Sequence, residues 1–219
     1  MMDLADATLD ELREALAPAV ASNAAFDGWS DAALHAAADA HNVDHDVARL
    51  AFPGGAVAMI DAWFASIDRA MAARFTPEAL AAMKIRQRIT ALVETRLELL
   101  TANREALRRA AAILAMPQNI ARAAKLGWRS ADVMWRLAGD TATDYNHYTK
   151  RALLGSIYAA TIAVFLQDDS EGHADTRAFL GRRIEDIMKF EKAKAGFLAR
   201  AAHRPSLSRF IGRLRYPVV

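Results

Sequence analysis

Apolar positions recur along this chain at three- and four-residue spacing, and no stretch alternates apolar and polar residues with β-branched enrichment and turn punctuation. The pattern predicts an all-α chain of about nine or ten helices. Thr8 with Glu11 three residues later is a capping box opening the first helix, and Ser30 before Asp31 is an N-cap for the second. A short third helix starts at Asp44 or His45 and stops at Phe52-Pro53-Gly54-Gly55, where proline lacks a donor and glycine tolerates special backbone angles. The fourth, from about Gly55 to Arg74, carries Val57, Ile60, Phe64, Ile67 and Met71 on one stripe. Thr76-Pro77-Glu78 provides an N-cap and a first-turn proline for a long helix to about Leu100. Another, capped by Thr101 or Asn103, must end before Pro117. Helices over Asn119–Leu126, Ser130–Ala138, Thr143–Gln167 and His173–Ala202 follow, broken by Gly127, Gly139 and the turn Asp168-Asp169-Ser170-Glu171-Gly172. Pro205 and Ser206 set off a last short helix, Leu207–Leu214.

Composition turns these helices into a packed body. The chain has 219 residues, 53% of them hydrophobic, with few glycines and prolines, which excludes disorder and collagen-like repeats. The absence of cysteine excludes a disulfide framework, a thiolate zinc site, an iron–sulfur cluster and a cysteine nucleophile. The longest uncharged run, Ala152–Gln167, is shorter than the roughly 20 apolar residues that cross a bilayer, so it reads as a buried core helix. The acidic N-terminus shows no export or organelle address, so a cytoplasmic protein, peripheral to the inner membrane, is expected. The net charge of +2 hides an asymmetry: residues 182–219 hold ten Lys and Arg against three acids, a balance of +7, which leaves residues 1–181 at −5. The expected organisation is a helix-turn-helix-like part over 1–74, a helical ligand-binding and dimerisation part over 75–202, and a basic amphipathic helix over 203–219.

Charge also decides what the N-terminal helices can do. Three helices ending at Phe52-Pro53-Gly54-Gly55 before a long helix look like the helix-turn-helix of TetR-type regulators. Such a motif needs Lys or Arg for phosphates, yet residues 27–55 hold five aspartates and Arg49 alone. This face should repel a duplex, and a structural relic of the fold is the favoured reading over a ligand-responsive regulator. His35, Asp39, His41 and His45 form the one His/Asp cluster, with His41 and His45 at i, i+4. It lacks a fixed third ligand and reads as polar surface. Glu-x-x-His pairs of a di-iron bundle are absent, as are phosphate-binding glycine loops and nucleophile elbows. No catalytic residue, metal or cofactor is expected.

Two segments remain unusual. Met134 to Arg151 is dense in aromatic and ionic side chains near a helix start, with Asp140, Thr141 and Thr143 as candidate caps. His147, Tyr148 and Arg151 lie three, four and seven residues after Asp144, so these four can share a patch of the kind that anchors protein interfaces, or complete the core. In the tail, Leu207, Phe210, Ile211 and Leu214 share a helical face while Arg209 and Arg213 fall elsewhere, a pattern suited to an anionic membrane surface or to packing on the domain.

Several blocks of residues resemble one family. Val93-Glu94-Thr95-Arg96-Leu97, Met116-Pro117-Gln118-Asn119-Ile120, Ala138-Gly139-Asp140, Asp144-Tyr145-Asn146-His147-Tyr148-Thr149-Lys150-Arg151, Gln167-Asp168-Asp169-Ser170 and Thr176-Arg177-Ala178-Phe179-Leu180 are similar to the Coq-nine family of ubiquinone-biosynthesis accessory proteins. The likeness runs from about Ala24 to Ala199. It implies a TetR-like homodimer that binds a lipid or isoprenoid quinone precursor, contacts the demethoxyubiquinone hydroxylase, touches an anionic membrane surface through its terminal helix, and neither binds nucleic acid nor catalyses a reaction. Carried over by motif, the hydroxylase patch comprises Met134, Asp144, Tyr145, His147, Tyr148 and Arg151. His147 departs from the family pattern, which has Trp there. The membrane helix would use Leu207, Arg209, Phe210, Ile211, Arg213 and Leu214. A slot for the prenyl tail is expected among Leu97, Leu100, Ile113, Met116, Leu154, Tyr158, Ile162, Phe165, Phe179 and Ile187, each of which is equally an ordinary core position.

Overall fold

The structure is a computed structural model that describes residues 4, 6–141 and 145–202, with the backbone alone at 145, 146, 188 and 190–202. The expected terminal helix 207–214, and with it the six membrane-helix residues, lies outside the described residues, as do Thr143 and Asp144. Among the described residues there are ten α-helices and no strand: α1 (Leu9–Asp27), α2 (Asp31–Ala40), α3 (His45–Ala51), α4 (Ala56–Ala73), α5 (Pro77–Ala81), α6 (Ile85–Thr101), α7 (Arg104–Leu114), α8 (Ile120–Leu137), α9 (Tyr145–Phe165) and α10 (Ala174–Ala202). Single 3₁₀ turns precede α8 and α10. The chain divides after Leu180 into two units, and α10 begins in the first and continues in the second.

The caps form as the sequence dictates. The Glu11 N–H donates to Thr8 Oγ1 at 3.3 Å while the Thr8 N–H donates to Glu11 Oε2 at 2.8 Å, closing the box on α1. Ser30, Asp44 and Thr76 accept from the first-turn amides of α2, α3 and α5, with Pro77 at the first position of α5. In the first unit α1 packs against α2, α3, α4 and α7. Its Leu12, Leu16, Val20 and Ala24 repeat every four residues and are buried. Each large apolar side chain so buried contributes roughly 1.5–3 kcal/mol. Pro18 falls on the exposed side of α1, where water can serve the carbonyl that loses its amide partner.

The buried arc of α4 is Met59, Ile60, Trp63, Ile67 and Met71, with Val57 and Phe64 of the expected stripe only half-buried. Trp63 turns the arc, because its ring meets Trp29 at 5.4 Å and Phe64 at 5.3 Å. Trp29 in turn donates its indole N–H to the Ala106 carbonyl at 3.0 Å, joining the start of α2 to α7.

Two helix boundaries differ from those read in the sequence. The helix expected from Thr76 to Leu100 is broken at residues 82–84. There Arg88 donates to the carbonyls of Met83 (2.9 Å), Ala81 (3.1 Å) and, across the fold, Ala138 (2.7 Å), while the Lys84 N–H donates to Gln87 Oε1 at 3.0 Å to open α6. Conversely, Gly127 does not interrupt α8. A helical glycine costs roughly 0.5–1 kcal/mol against alanine, and α8 runs through it from Ile120 to Leu137 with Gly155 of α9 packed beside the Gly127 carbonyl. Arginine also closes other helix ends from distant parts of the chain: Arg13 donates to the Ala51 carbonyl at 2.7 Å and Arg108 to the Leu166 carbonyl at 2.6 Å.

Candidate functional site

The crossing of α8 and α9 assembles the densest polar chemistry in the first unit. Arg151 is 2% exposed. Its Nε donates to Asp132 Oδ1 at 2.6 Å, and its Nη1 donates to Asp140 Oδ2 at 3.0 Å and to the His147 carbonyl at 3.1 Å. Lys150 Nζ donates to Asp140 Oδ1 at 2.6 Å, and the Trp135 indole N–H donates to the Lys150 carbonyl at 3.0 Å. Two cations thus draw Asp140 into an ion cluster. Burial by itself would raise the Asp140 and Asp132 carboxyls. Hydrogen bonds from Lys150 and Arg151 at Asp140, and from Arg151 and Arg136 at Asp132, outweigh that and hold both below the ordinary carboxylate range.

Above this cluster lies an aromatic patch. Tyr148 is 61% exposed and Trp128 36%. The Trp128 ring lies 6.0 Å from that of Tyr148 and 6.4 Å from His147, and His147 and Tyr148 meet edge-on at 5.1 Å. Of the six patch residues read from the sequence, His147 and Tyr148 share this surface. Met134 is fully buried on the inner face of α8 and Arg151 is the buried centre of the ion cluster, so neither presents a surface. Asp144 and the Tyr145 side chain lie outside the described residues. Trp128, one helix over, was invisible to a reading confined to the Met134–Arg151 segment.

The expected slot residues fall into three groups. Leu97, Leu100, Leu154, Tyr158 and Phe165 are buried, Ile113, Ile162, Phe179 and Ile187 are half-buried, and Met116 is exposed at the turn before α8. A small open cleft of about 40 Å³ beside α6 takes only Leu97 of them, together with Glu94, Glu98, Thr101, His173 and Arg177 among its lining. Burial pushes the Glu94 carboxyl up, opposed by Arg177 and assisted by Glu98.

A second buried charge cluster, unannounced by any spacing rule, spans α4, α6, α8 and α9. Arg96 is completely buried. Its Nη1 donates to Asp68 Oδ1 and its Nε to the Tyr158 hydroxyl at 2.9 Å, with the guanidinium carbon 5.0 Å from the tyrosine ring centre. Ser130 Oγ donates to Asp68 Oδ2 at 3.4 Å, and Arg129 pairs with Asp61 and approaches Asp68 at 3.7 Å. Among the described residues Arg96 Nη2 and Arg129 Nε have no hydrogen-bond acceptor, the latter lying 3.7 Å from Asp68 Oδ2. The one sequence signal was an arginine within an otherwise helical core block, Val93–Leu97.

On α2 and α3, His45 Nε2 lies 2.7 Å from Asp39 Oδ1 and stacks on His35 with ring centres 4.2 Å apart. No group of three His, Asp or Glu able to hold a metal occurs among the described residues. Asp168 closes the turn before α10, accepting from the amide and hydroxyl of Ser170 (2.9 and 2.5 Å) and of Thr176 (2.8 and 2.5 Å). Those bonds hold its carboxyl far below the usual range. No single helix among the described residues is long and apolar enough to cross a membrane.

Comparison with known proteins falls on this ground. The COQ9 family model matches residues 120–191, the stretch that holds α8, α9, the ion cluster and the aromatic patch. The chain is 47% identical over 96 residues to the mitochondrial ubiquinone biosynthesis protein COQ9 of Rattus norvegicus, covering 44% of this chain and 31% of that protein. It is 45% identical over 96 residues to the Homo sapiens protein of the same name, covering 44% of this chain and 30% of that protein. The likeness thus spans about a third of the length of these relatives. A crystal structure of a TetR transcriptional regulator from Nitrosomonas europaea superposes with a TM-score of 0.62 at 24% identity, covering 80% of this chain and 97% of that one. The resemblance read from the sequence is borne out: residues 120–191 carry the sequence of the COQ9 family, and they do so on an all-helical TetR-like fold.

Proposed function

We propose that this chain is an accessory protein of ubiquinone biosynthesis that binds a lipid or isoprenoid quinone precursor and presents it to the demethoxyubiquinone hydroxylase, carrying out no covalent step itself. The observation that carries the reading is the coincidence of the COQ9 match with the patch Trp128, His147 and Tyr148 and with the ion cluster beneath it. A polyprenyl chain resists leaving the bilayer, since each CH₂ moved into water costs about 0.8 kcal/mol. A carrier replaces the bilayer with apolar side chains, and the buried leucines and tyrosine of α6 and α9 are suitable walls once the helices part. The hydroxylase docks on the aromatic patch, where ring edges and faces provide large contact area at small entropic cost. Residues 203–219 attach the protein to anionic lipid from the membrane surface.

The protein works as a homodimer. Supporting this, α9 exposes Ala152, Ser156, Ala159, Ala160 and Ala163, a face without charge that a second copy would cover. The TetR-like fold also raises a regulator as an alternative, since the Nitrosomonas protein is described as one. Against that stands the charge of the α2–α3 face, where Asp31, Asp39, Asp44 and Asp46 are exposed and Arg49 is tied to Asp31 and Asp46.

Organic extraction of the purified protein followed by mass spectrometry tests the carrier reading directly. Co-purified isoprenoid or phospholipid is expected. An empty extract, together with unchanged demethoxyubiquinone levels on deletion, would end it. Any low-salt shift of a palindromic DNA fragment would favour the regulator instead. Tyr148→Lys should weaken hydroxylase pull-down while the circular dichroism spectrum is unchanged, and removal of residues 204–219 should reduce flotation with anionic liposomes.

A further inference from the structure

The buried cluster of α4, α6, α8 and α9 contains donors without acceptors. Arg96 is 0% exposed, and two of its three guanidinium nitrogens are used, Nη1 on Asp68 and Nε on the Tyr158 hydroxyl. Nη2 has no acceptor among the described residues. The Tyr158 hydroxyl, itself nearly buried, accepts the Arg96 bond, and its own hydrogen is directed to no acceptor among the described residues. One donor on α6 and one on α9, joined through the Arg96 Nε–Tyr158 bond, are thus without acceptors among the described residues. A buried unsatisfied donor costs about 1–3 kcal/mol, more when charged, and native structures rarely keep one without a reason.

The charges decide what kind of acceptor fits. Arg96 and Arg129 are already matched by Asp68 and Asp61. A further anion would leave an uncompensated buried charge, which is strongly unfavourable. A neutral oxygen adds no charge and satisfies both donors. Tyr158, Leu97, Leu100 and Leu154 meanwhile give the surroundings an apolar character suited to a ligand that is mostly hydrocarbon.

We propose that Arg96 Nη2 and the Tyr158 hydroxyl form an anchoring subsite for a neutral carbonyl or phenolic oxygen of an otherwise apolar ligand, with Asp68 holding Arg96 in place. This rests on the carrier reading and adds to it a point of chemical discrimination: the protein selects an oxygenated ring or ester rather than any hydrocarbon of the right length. The oxygen has two possible sources, the ring of a prenylated benzoquinone or the ester of a lipid, and both present the same acceptor to the same donors.

Three probes separate the outcomes in full-length protein, with binding followed by isothermal titration calorimetry. They are a benzoquinone bearing one isoprene unit, the matching prenylated benzene without ring oxygens, and a fatty-acid methyl ester. The wild type should bind the quinone or the ester at least about tenfold more tightly than the hydrocarbon, as expected when an unmet buried donor discriminates. Tyr158→Phe and Arg96→Lys should each bring that preference close to unity while the hydrocarbon still binds. If none of the three binds, the carrier reading fails. If all bind equally to the wild type, or if both variants keep the preference, the anchor is overturned and the free donors belong to a buried water. Should Arg96→Lys fail to fold, Tyr158→Phe alone decides, because it leaves the Arg96–Asp68 pair intact.

Discussion

Two buried ion clusters among the described residues differ in one respect. Around Arg151 the donors Nε and Nη1 find acceptors in Asp132, Asp140 and the His147 carbonyl, and Lys150 adds a further bond. Around Arg96 a guanidinium nitrogen is left over, and a second one nearby, Arg129 Nε, is in the same state. Satisfied polar networks rigidify their surroundings, whereas incomplete ones are poor stabilisers. The first cluster ties α8 to α9 next to the aromatic patch, and the second leaves a buried donor without an acceptor among the described residues. The satisfied cluster also lies within the residues that match the COQ9 family, while Arg96 and Asp68 precede them.

The sharpest break of this comparison is Arg151→Met. It leaves Asp140 with Lys150 and the partly exposed Asp132 with Arg136, so the expected loss lies at the lower end of the roughly 3–5 kcal/mol that breaking a buried pair costs. Urea denaturation should show a fall in midpoint of that size; a loss under about 1 kcal/mol would make the cluster surface-like. The Arg96 cluster should respond in the opposite way when both partners are replaced. Asp68→Leu alone is expected to cost about 3 kcal/mol, but Asp68→Leu with Arg96→Met should recover to within about 1 kcal/mol of the wild type, because an incomplete ionic network is exchanged for apolar packing. No recovery would mean that the network around Arg96 is as complete as its counterpart.

Acid sharpens the distinction further. The folded carboxyls of Asp140 and Asp132 are held below their ordinary value near 3.8. Their contribution is complete above the unfolded carboxylate value and is lost as pH falls through the lower folded value. Urea midpoints taken from about pH 6 down to about pH 2 should fall more gently in Asp140→Asn than in the wild type, and parallel curves would show that the cluster does not govern acid sensitivity. The smallest expected change in stability is for Trp128→Ala at the partly exposed patch, within about 0.5 kcal/mol for a surface site, with loss of hydroxylase pull-down as its signature. Undiminished pull-down would confine the contact to α9.

The sequence was most readable where the physics is local. Thr8 with Glu11, Ser30, Asp44 and Thr76 with Pro77 announce helix starts because a side chain and amides three residues away suffice. The acidic α2–α3 face was legible for the same reason, as a matter of counting charges. What could not be read depends on contacts between distant segments. The break after α5 is held by Arg88 reaching Ala138, fifty residues on, and α8, which runs through Gly127, packs along its length against α9. The site divides in the same manner. His147 and Tyr148 were found by helical spacing. Trp128 joins them only through the α8–α9 crossing, and the pairing of Asp68 with Arg96 and Tyr158 needs three helices to converge. Met134 and Arg151 show the limit of spacing alone, since both sit on the right stretch of chain and point inward.

The arginines that close helix ends have a consequence for the order in which this chain can assemble. The carbonyl of Ala138, one residue past the end of α8, receives its hydrogen bond from Arg88, and Leu166, just past α9, receives one from Arg108. Until a segment some fifty residues earlier in the chain docks against each helix end, these carbonyls are left to water. Ribosomal synthesis delivers Arg88 and Arg108 first, so these side chains wait exposed while α8 and α9 emerge. The last turns of α8 and α9 should then acquire amide-exchange protection only in the final cooperative phase of refolding, together with the α8–α9 crossing that carries the aromatic patch.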